Sequence, residues 1–120
     1  ANLSGATLSR ANLSGATLTG ATLSNVNLKS AKLKNAVLTR ANLNGAVLKK
    51  AVLSKAKLSG AKLVKAELKR AVLTKAKLIG ANLKKADLGS AKLKKANLCK
   101  CLLIPKQKLI QMPLIYQLLI

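Results

Sequence analysis

The sequence predicts an all-β coil with four sides, and the prediction depends on three observations. From Ala1 to Lys100 the chain divides, in one frame and without an insertion, into twenty consecutive units of five residues. The first residue of the unit is Ala in nineteen of the twenty, with Val26 as the exception, and the third residue is Leu in all twenty. Neither a helix nor an ordinary strand explains this period, because their apolar residues recur at 3.6 and at 2. A period of five instead indicates one short extended side per unit.

Each place in the unit has a predicted role in such a coil. Ala at the first place and Leu at the third are two residues apart, the spacing of one face of an extended chain, so both are predicted to point inward. The second, fourth and fifth places are predicted to point outward. Four units would close one coil of twenty residues, and stacking at about 4.8 Å would give about five coils in a rod about 24 Å long. Gly at the fifth place, as in Gly5 and Gly45, can supply the positive φ of a type II turn at the corners.

Units such as ANLSG at residues 1–5 and ANLCK at residues 96–100 share the motif A-(D/N)-L-X-X. Residues 1–100 therefore resemble the pentapeptide-repeat family, and the resemblance implies a right-handed quadrilateral β-helix. The second place departs from the motif in many units, where Thr, Lys or Val replaces Asn or Asp. These departures are predicted to change the surface and to leave the inward pattern intact.

No catalytic, metal or cofactor site is predicted. The chain has no His, and Glu67 and Asp87 are its only acidic residues, so general acid–base pairs and Ser-His-Asp sets cannot be assembled. Cys99 and Cys101 are too few for a zinc site. The register places Cys99 outward and Cys101 inward, so we expect no disulfide between them. The chain is predicted to be a non-catalytic structural or interaction module with an unknown protein partner.

The net charge is +21, and the bases are unevenly distributed. Successive blocks of twenty residues contain 1, 4, 4, 6 and 6 Lys or Arg, and the tail contains 2 more. The register collects thirteen of the bases on two adjacent sides, those of the second and third units of each coil. The candidate polyanion contacts on these sides are Lys29, Lys49, Lys50, Lys69, Arg70, Lys55, Lys75, Lys92, Lys94 and Lys95.

Two interpretations of the basic sides stay open. In the first, they bind a polyanion, either nucleic acid or an anionic membrane surface, without reading sequence and with strong salt dependence. Tyr116 is the only aromatic residue, so sequence-specific recognition of single strands by base stacking is not expected. In the second, Lys is a soluble filler at tolerant outward places. Some members of the family mimic DNA and bind DNA gyrase, but that role needs an acidic rod, and the charge of +21 disfavours it.

The repeat is predicted to end near residue 103, which divides the chain into a β-helix at 1–103 and an apolar tail at 104–120. The tail is too short and too interrupted by Lys106, Lys108 and Pro113 to span a bilayer. It is predicted to be a cap over the last coil or a self-association segment that forms a homodimer. The candidate self-association residues are Leu109, Ile110, Leu114, Ile115, Tyr116, Leu119 and Ile120.

A different interpretation of the tail starts from its Leu-Ile pairs, which recur every five residues from Leu109–Ile110. An Ala-Asn codon pair read one base late encodes Leu-Ile, so the tail could be repeat DNA translated out of frame after an insertion or deletion near codon 101. In that case, shifting the frame in the nucleotide sequence restores A-N-L units.

The chain starts inside the repeat and shows no signal peptide or transmembrane segment, so we expect a fragment or trimmed chain located in the cytoplasm.

Overall fold

The computed structural model describes residues 2–98, which form a β-helix with one unit of five residues on each side. Side one begins with residues 2–5, side two with 6–10, side three with 11–15 and side four with 16–20. Each side recurs every twenty residues, because the bridges join residues twenty apart. We call each block of twenty residues a layer.

The β-structure of the described residues consists of single-residue parallel bridges between second places of adjacent layers, without continuous strands or helices. The bridges extend from Asn2–Thr22 to Lys77–Asn97. Two hydrogen bonds accompany each bridge in the middle layers. In one example, the Leu28 N–H donates to the Val47 carbonyl at 2.7 Å, and the Val47 N–H donates to the Val26 carbonyl at 2.9 Å. The stacking of units four apart therefore agrees with the predicted four-sided coil.

Every corner in the described residues is a type II turn formed by the third, fourth and fifth residues of a unit and the first residue of the next. The Ala46 N–H, for example, donates to the Leu43 carbonyl at 3.0 Å. The fifth residue has a positive φ in all units from Gly5 to Lys95, whereas no fourth residue does.

The predicted role of glycine at the corners was too narrow. Thirteen of the fifth places are occupied by residues other than Gly, among them Lys50 and Arg70, both with φ of 60°. A left-handed conformation costs about 1–2 kcal/mol for a residue that has a Cβ. The interlayer hydrogen bonds and the packed Leu side chains hold the corner in this geometry whichever residue occupies it.

The inward places are confirmed as the core. From Ala21 to Leu88, every first-place and third-place side chain is at most 3% exposed. Full burial of one Leu contributes up to about 3 kcal/mol. Val26 is also completely buried, and its turn hydrogen bond to Leu23 is lengthened to 3.2 Å, as expected for a side chain larger than Ala at this place.

The first layer differs from the layers above it. Its third-place residues Leu3, Leu8, Leu13 and Leu18 pack against the core but are only partly buried. Among residues 2–98, no helix is long and apolar enough to cross a bilayer. The predicted cap, Cys99, Cys101 and all the candidate self-association residues of the tail lie outside the described residues.

Candidate polyanion interface

The basic residues lie mainly at the corners of the β-helix. The fourth and fifth places form the turns, so their side chains project from the edges between sides. Edge 2/3 consists of the fourth and fifth places of side two, and edge 3/4 consists of those of side three. Edge 2/3 carries Arg10, Lys29, Lys49, Lys50, Lys69 and Arg70, and edge 3/4 carries Lys34, Lys55, Lys75, Lys94 and Lys95.

Two basic sides were predicted. The structure instead has one side, side three, with a basic edge on each border. Lys32 and Lys92 occupy second places of side three, between the two edges. Six bases on edge 2/3, five on edge 3/4 and these two make thirteen, and all of them border side three. Arg10, Lys32 and Lys34 belong to this surface although they were not among the predicted contacts.

Five of the ten predicted contacts are brought together at edge 2/3. They line a recess of about 220 Å³, formed by Lys29, Lys49, Lys50, Lys69 and Arg70. The recess arises because fourth-place lysines of three successive layers stack beside the fifth-place residues of two of them. The other five are not part of it. Lys55, Lys75, Lys94 and Lys95 project from edge 3/4, one side away, and Lys92 lies between the edges.

The two acidic residues occupy neighbouring second places of side two, where Glu67 and Asp87 form a bridge. The Nζ of Lys49 lies 3.9 Å from Oε1 of Glu67, and the Nζ of Lys69 lies 3.8 Å from Oδ2 of Asp87. The four side chains are 32–57% exposed, so these ion pairs contribute little stability. They do lower the positive potential on side two, whereas side three has no carboxylate.

The centre of side three is uncharged where its edges are most basic. Val52 and Val72 occupy the second places of the third and fourth layers, form a bridge, and are partly buried. The bases that flank them project from the corners on both sides. In these two layers side three therefore presents two rows of positive charge separated by a neutral strip, whereas Lys32 and Lys92 occupy the centre of the second and fifth layers.

The second-place Asn and Asp side chains have a structural role that the sequence analysis did not assign. In the middle layers, four of the five N–H groups of a unit donate to backbone carbonyls. The fourth-place N–H donates instead to the second-place side chain, as from Asn44 to Oδ1 of Asn42 at 3.1 Å and from Gly89 to Oδ1 of Asp87 at 3.0 Å. The predicted inward pattern is intact, but this outward place also stabilises the turn.

In one unit with a second-place Lys, the fourth-place N–H finds its side-chain acceptor in a neighbouring layer. Lys62 cannot accept a hydrogen bond, because an ammonium group has only donors. The N–H of Val64 donates to Oδ1 of Asn44, in the preceding layer, at 2.9 Å. The amide of Asn44 therefore compensates for the missing acceptor in the unit above it.

The described residues contain no group of three or more His, Cys, Asp or Glu side chains that could hold a metal ion.

Stacked five-residue units joined by interlayer bridges define a repeat solenoid. The family model for pentapeptide repeats matches residues 1–35, 31–69 and 66–103. The chain therefore belongs to the pentapeptide-repeat family. Among curated proteins, none matches the sequence significantly.

Solved structures of this family, which are right-handed β-helices, resemble the chain. HetL from the cyanobacterium Nostoc sp. strain PCC 7120, a pentapeptide-repeat protein involved in regulating heterocyst differentiation, has 39% identity and a TM-score of 0.81 over 84% of this chain and 48% of its own. Rfr23 from the cyanobacterium Cyanothece 51142 has 38% identity and a TM-score of 0.71 over 72% of this chain and 58% of its own. This chain thus spans only about half the length of these two relatives.

QnrB1, a plasmid-mediated fluoroquinolone resistance protein, is more distant. It has 17% identity and a TM-score of 0.53, over 91% of this chain and 65% of its own. At this identity the likeness shows the shared fold alone.

Proposed function

We propose that this chain is a non-catalytic interaction module that binds phosphate-bearing polyanions through side three and its two edges. The observation that carries the proposal is that thirteen bases border one side that has no carboxylate. Lys and Arg pair with phosphate oxygens through charge-assisted hydrogen bonds, and such contacts give affinity without reading sequence. No aromatic residue occurs among residues 2–98 to add base stacking.

The uneven distribution of charge supports binding over the alternative that Lys is a soluble filler. A filler would be spread evenly over outward places, which all tolerate it. Instead, edge 2/3 and edge 3/4 carry eleven bases, whereas the other two edges together carry four among residues 2–98, Arg40 at that of side four and three lysines at that of side one. The β-helix also holds these bases on a hydrogen-bonded backbone, so binding does not have to order the chain.

An acidic DNA mimic is the function that the charge supports least. Mimicry of DNA requires a surface that is attracted to the basic groove of a DNA-binding protein. A chain with a net charge of +21 would be repelled by such a groove. The fold shared with QnrB1 therefore does not bring that protein's role to this chain.

A salt-titrated binding assay tests the proposal, with duplex DNA and vesicles containing phosphatidylserine as the two ligands. We expect a dissociation constant of about 10⁻⁴–10⁻⁶ M near physiological salt, which strengthens steeply as salt is lowered. Absence of binding to both ligands at low salt would reject the proposal. The two ligands also separate its two sources of phosphate, a nucleic acid and a lipid surface.

A matched pair of variants tests the assignment to this surface. In one, Lys49, Lys50, Lys69 and Arg70 of the recess are replaced by Gln; in the other, Lys62, Lys65, Lys84 and Lys85 of side one are replaced by Gln. Each variant lowers the net charge of +21 by four, and each changes two residues at positive φ. We expect the recess variant to lose about tenfold or more in affinity at low salt and the side-one variant to lose much less. Equal losses would show that binding follows net charge rather than this surface.

A further inference from the structure

The two edges of side three indicate the form of the polyanion. We infer that it is duplex DNA, with the two phosphate rows that border its major groove contacting edge 2/3 and edge 3/4 at the same time. This inference rests on the proposed function, because it specifies which polyanion the same surface binds. It follows from the spacing of the edges, the neutral strip between them and the position of the carboxylates.

The spacing of the edges matches a wide groove. A side consists of about three extended residues at roughly 3.3 Å each, so the two edges are separated by roughly 10 Å, and Lys side chains can reach outward from there. The major groove of B-DNA is about 12 Å wide and the minor groove about 6 Å. Two parallel rows of bases this far apart, reaching outward, can contact the phosphates on both borders of the major groove, and their separation is closer to its width than to that of the minor groove.

The neutral strip distinguishes two phosphate rows from a continuous anionic plane. Val52 and Val72 lie between Lys50 and Arg70 on one edge and Lys55 and Lys75 on the other. An anionic lipid surface attracts a base anywhere on a face that touches it, so it gives no reason to leave the centre of the face uncharged. Over a groove, by contrast, phosphates lie only under the two edges. In the third and fourth layers this arrangement favours a double helix over a membrane, whereas Lys32 and Lys92, at the centre of the second and fifth layers, do not distinguish the two.

The carboxylates indicate the direction of approach. Glu67 and Asp87 lie on side two, immediately beside edge 2/3 and paired with Lys49 and Lys69. A phosphate row that approached across side two would be repelled by both of them. The approach across side three meets no acidic side chain, so both rows of bases are reached from that direction.

Two edge variants separate binding by two rows from binding by one. The first is the recess variant, with Gln at the four positions Lys49, Lys50, Lys69 and Arg70. The second has Gln at Lys55, Lys75, Lys94 and Lys95 of edge 3/4, and the side-one variant described above is the control. Circular dichroism checks that all three retain the fold, and they have the same net charge because each loses four bases.

The salt dependence of binding to a 20-base-pair duplex and to one of its strands is then measured for each variant. For the duplex, we expect either edge variant to reduce the magnitude of the slope of log K against log salt by up to about 3.6, at roughly 0.9 per lost phosphate contact, and the control to change it by less than about 1. For the single strand, we expect either edge variant to change the slope by less than about 1, because one strand can follow the intact edge. If the duplex and the single strand respond alike, or if edge 3/4 responds like the control, the inference is wrong although polyanion binding stands.

The groove is tested by blocking it. Bulky groups attached to pyrimidine C5 atoms project into the major groove, and we expect them to weaken duplex binding about tenfold or more. A saturating ligand of the minor groove should leave the affinity unchanged. The reverse result, or tighter binding to phosphatidylserine vesicles than to the duplex at the same salt concentration, would overturn the assignment to the major groove. Failure of every ligand to bind would instead reject the proposed function.

Discussion

The first and third layers of the β-helix are made from the same unit but differ in environment. In the third layer, Leu48 is 1% exposed and lies between layers on both sides, whereas Leu8, in the same column, is only partly buried. The third layer also exchanges backbone hydrogen bonds in both directions, and the first exchanges them with the second layer alone within the described residues. The same Ala-x-Leu pattern is therefore expected to contribute different amounts of stability in the two layers, because most of its contribution comes from neighbouring layers.

The largest expected difference between the layers is in the Leu column. We expect Leu48→Ala to lower the free energy of unfolding by about 2–5 kcal/mol, because it leaves a cavity between two packed layers. Leu8→Ala should cost less than about 2 kcal/mol, because part of that side chain is already in contact with solvent. Urea denaturation followed by circular dichroism measures both. Equal costs would show that the two layers do not differ in packing.

The second expected difference concerns the corner glycines of side one. Gly5 and Gly45 have φ of 71° and 72°, so Ala at either position should cost about 1 kcal/mol in backbone strain. A Cβ at residue 45 would also collide with the side chain of Asn25, whereas nothing lies within 4 Å of one at residue 5. Because Asn25 is exposed and its side chain can rotate away, we expect Gly45→Ala to cost up to about 1 kcal/mol more than Gly5→Ala, measured by the shift in urea midpoint. Adding Asn25→Ala to Gly45→Ala should remove the excess. If the excess persists in the double variant, the collision is not its cause.

The third expected difference concerns the turn hydrogen bond of the second-place Asn. Asn42 and Asn2 accept it with the same length of 3.1 Å, but the bond of Asn42 is partly buried and that of Asn2 is exposed. We expect Asn42→Ala to cost about 1 kcal/mol and Asn2→Ala only a few tenths, because water can replace the acceptor at the exposed site. Thermal unfolding of both variants, with Thr22→Ala of the intervening layer as the control, makes the comparison. A cost for Asn42→Ala no greater than that of the control would contradict the role assigned to this bond.

The smallest expected effect should be the same in both layers. Arg10 and Lys50 occupy the fifth place of side two with φ of 63° and 60°, and Gly relieves this strain wherever it occurs. The strain of about 1–2 kcal/mol is partly offset by the backbone entropy that Gly loses on folding, about 0.5–1 kcal/mol. We therefore expect Arg10→Gly and Lys50→Gly each to stabilise the chain by about 0.5 kcal/mol, measured by thermal unfolding. Destabilisation by either would show that the side chain contributes more than its backbone strain costs.

The sequence predicted the core well and the corners less well. The inward places could be predicted because the two buried places of each unit are almost always Ala and Leu. This regularity can be seen in the sequence without coordinates. The positive φ of Lys50 and Arg70 could not be predicted in this way. Packing imposes this conformation on any residue at the fifth place, so the residue type does not reveal it. The turn bond of Asn42 was missed because its acceptor role appears only when the other four N–H groups of the unit are seen to be occupied.

The candidate interface was predicted in part. Periodicity alone placed the basic residues on two adjacent sides, but it counted the bases at fourth and fifth places with those sides and not with the corners. In the structure these places are the turn itself, so Lys49 and Lys50 project from a corner and share a recess. The ion pair of Lys49 with Glu67 was missed for the same reason, since it joins a fourth place to a second place eighteen residues on, in the next layer.

Periodicity and composition were enough to establish that the chain repeats every five residues, that Ala and Leu face inward, and that the basic residues accumulate toward the C-terminal layers. These are properties of local periodicity and composition, which do not depend on the path of the chain. That the thirteen bases border a single side follows from the folded chain and not from the repeat. That arrangement requires residues twenty positions apart to be stacked by hydrogen bonds and the turns to be formed at the fourth and fifth places, so that two rows of charge lie parallel with Val52 and Val72 between them.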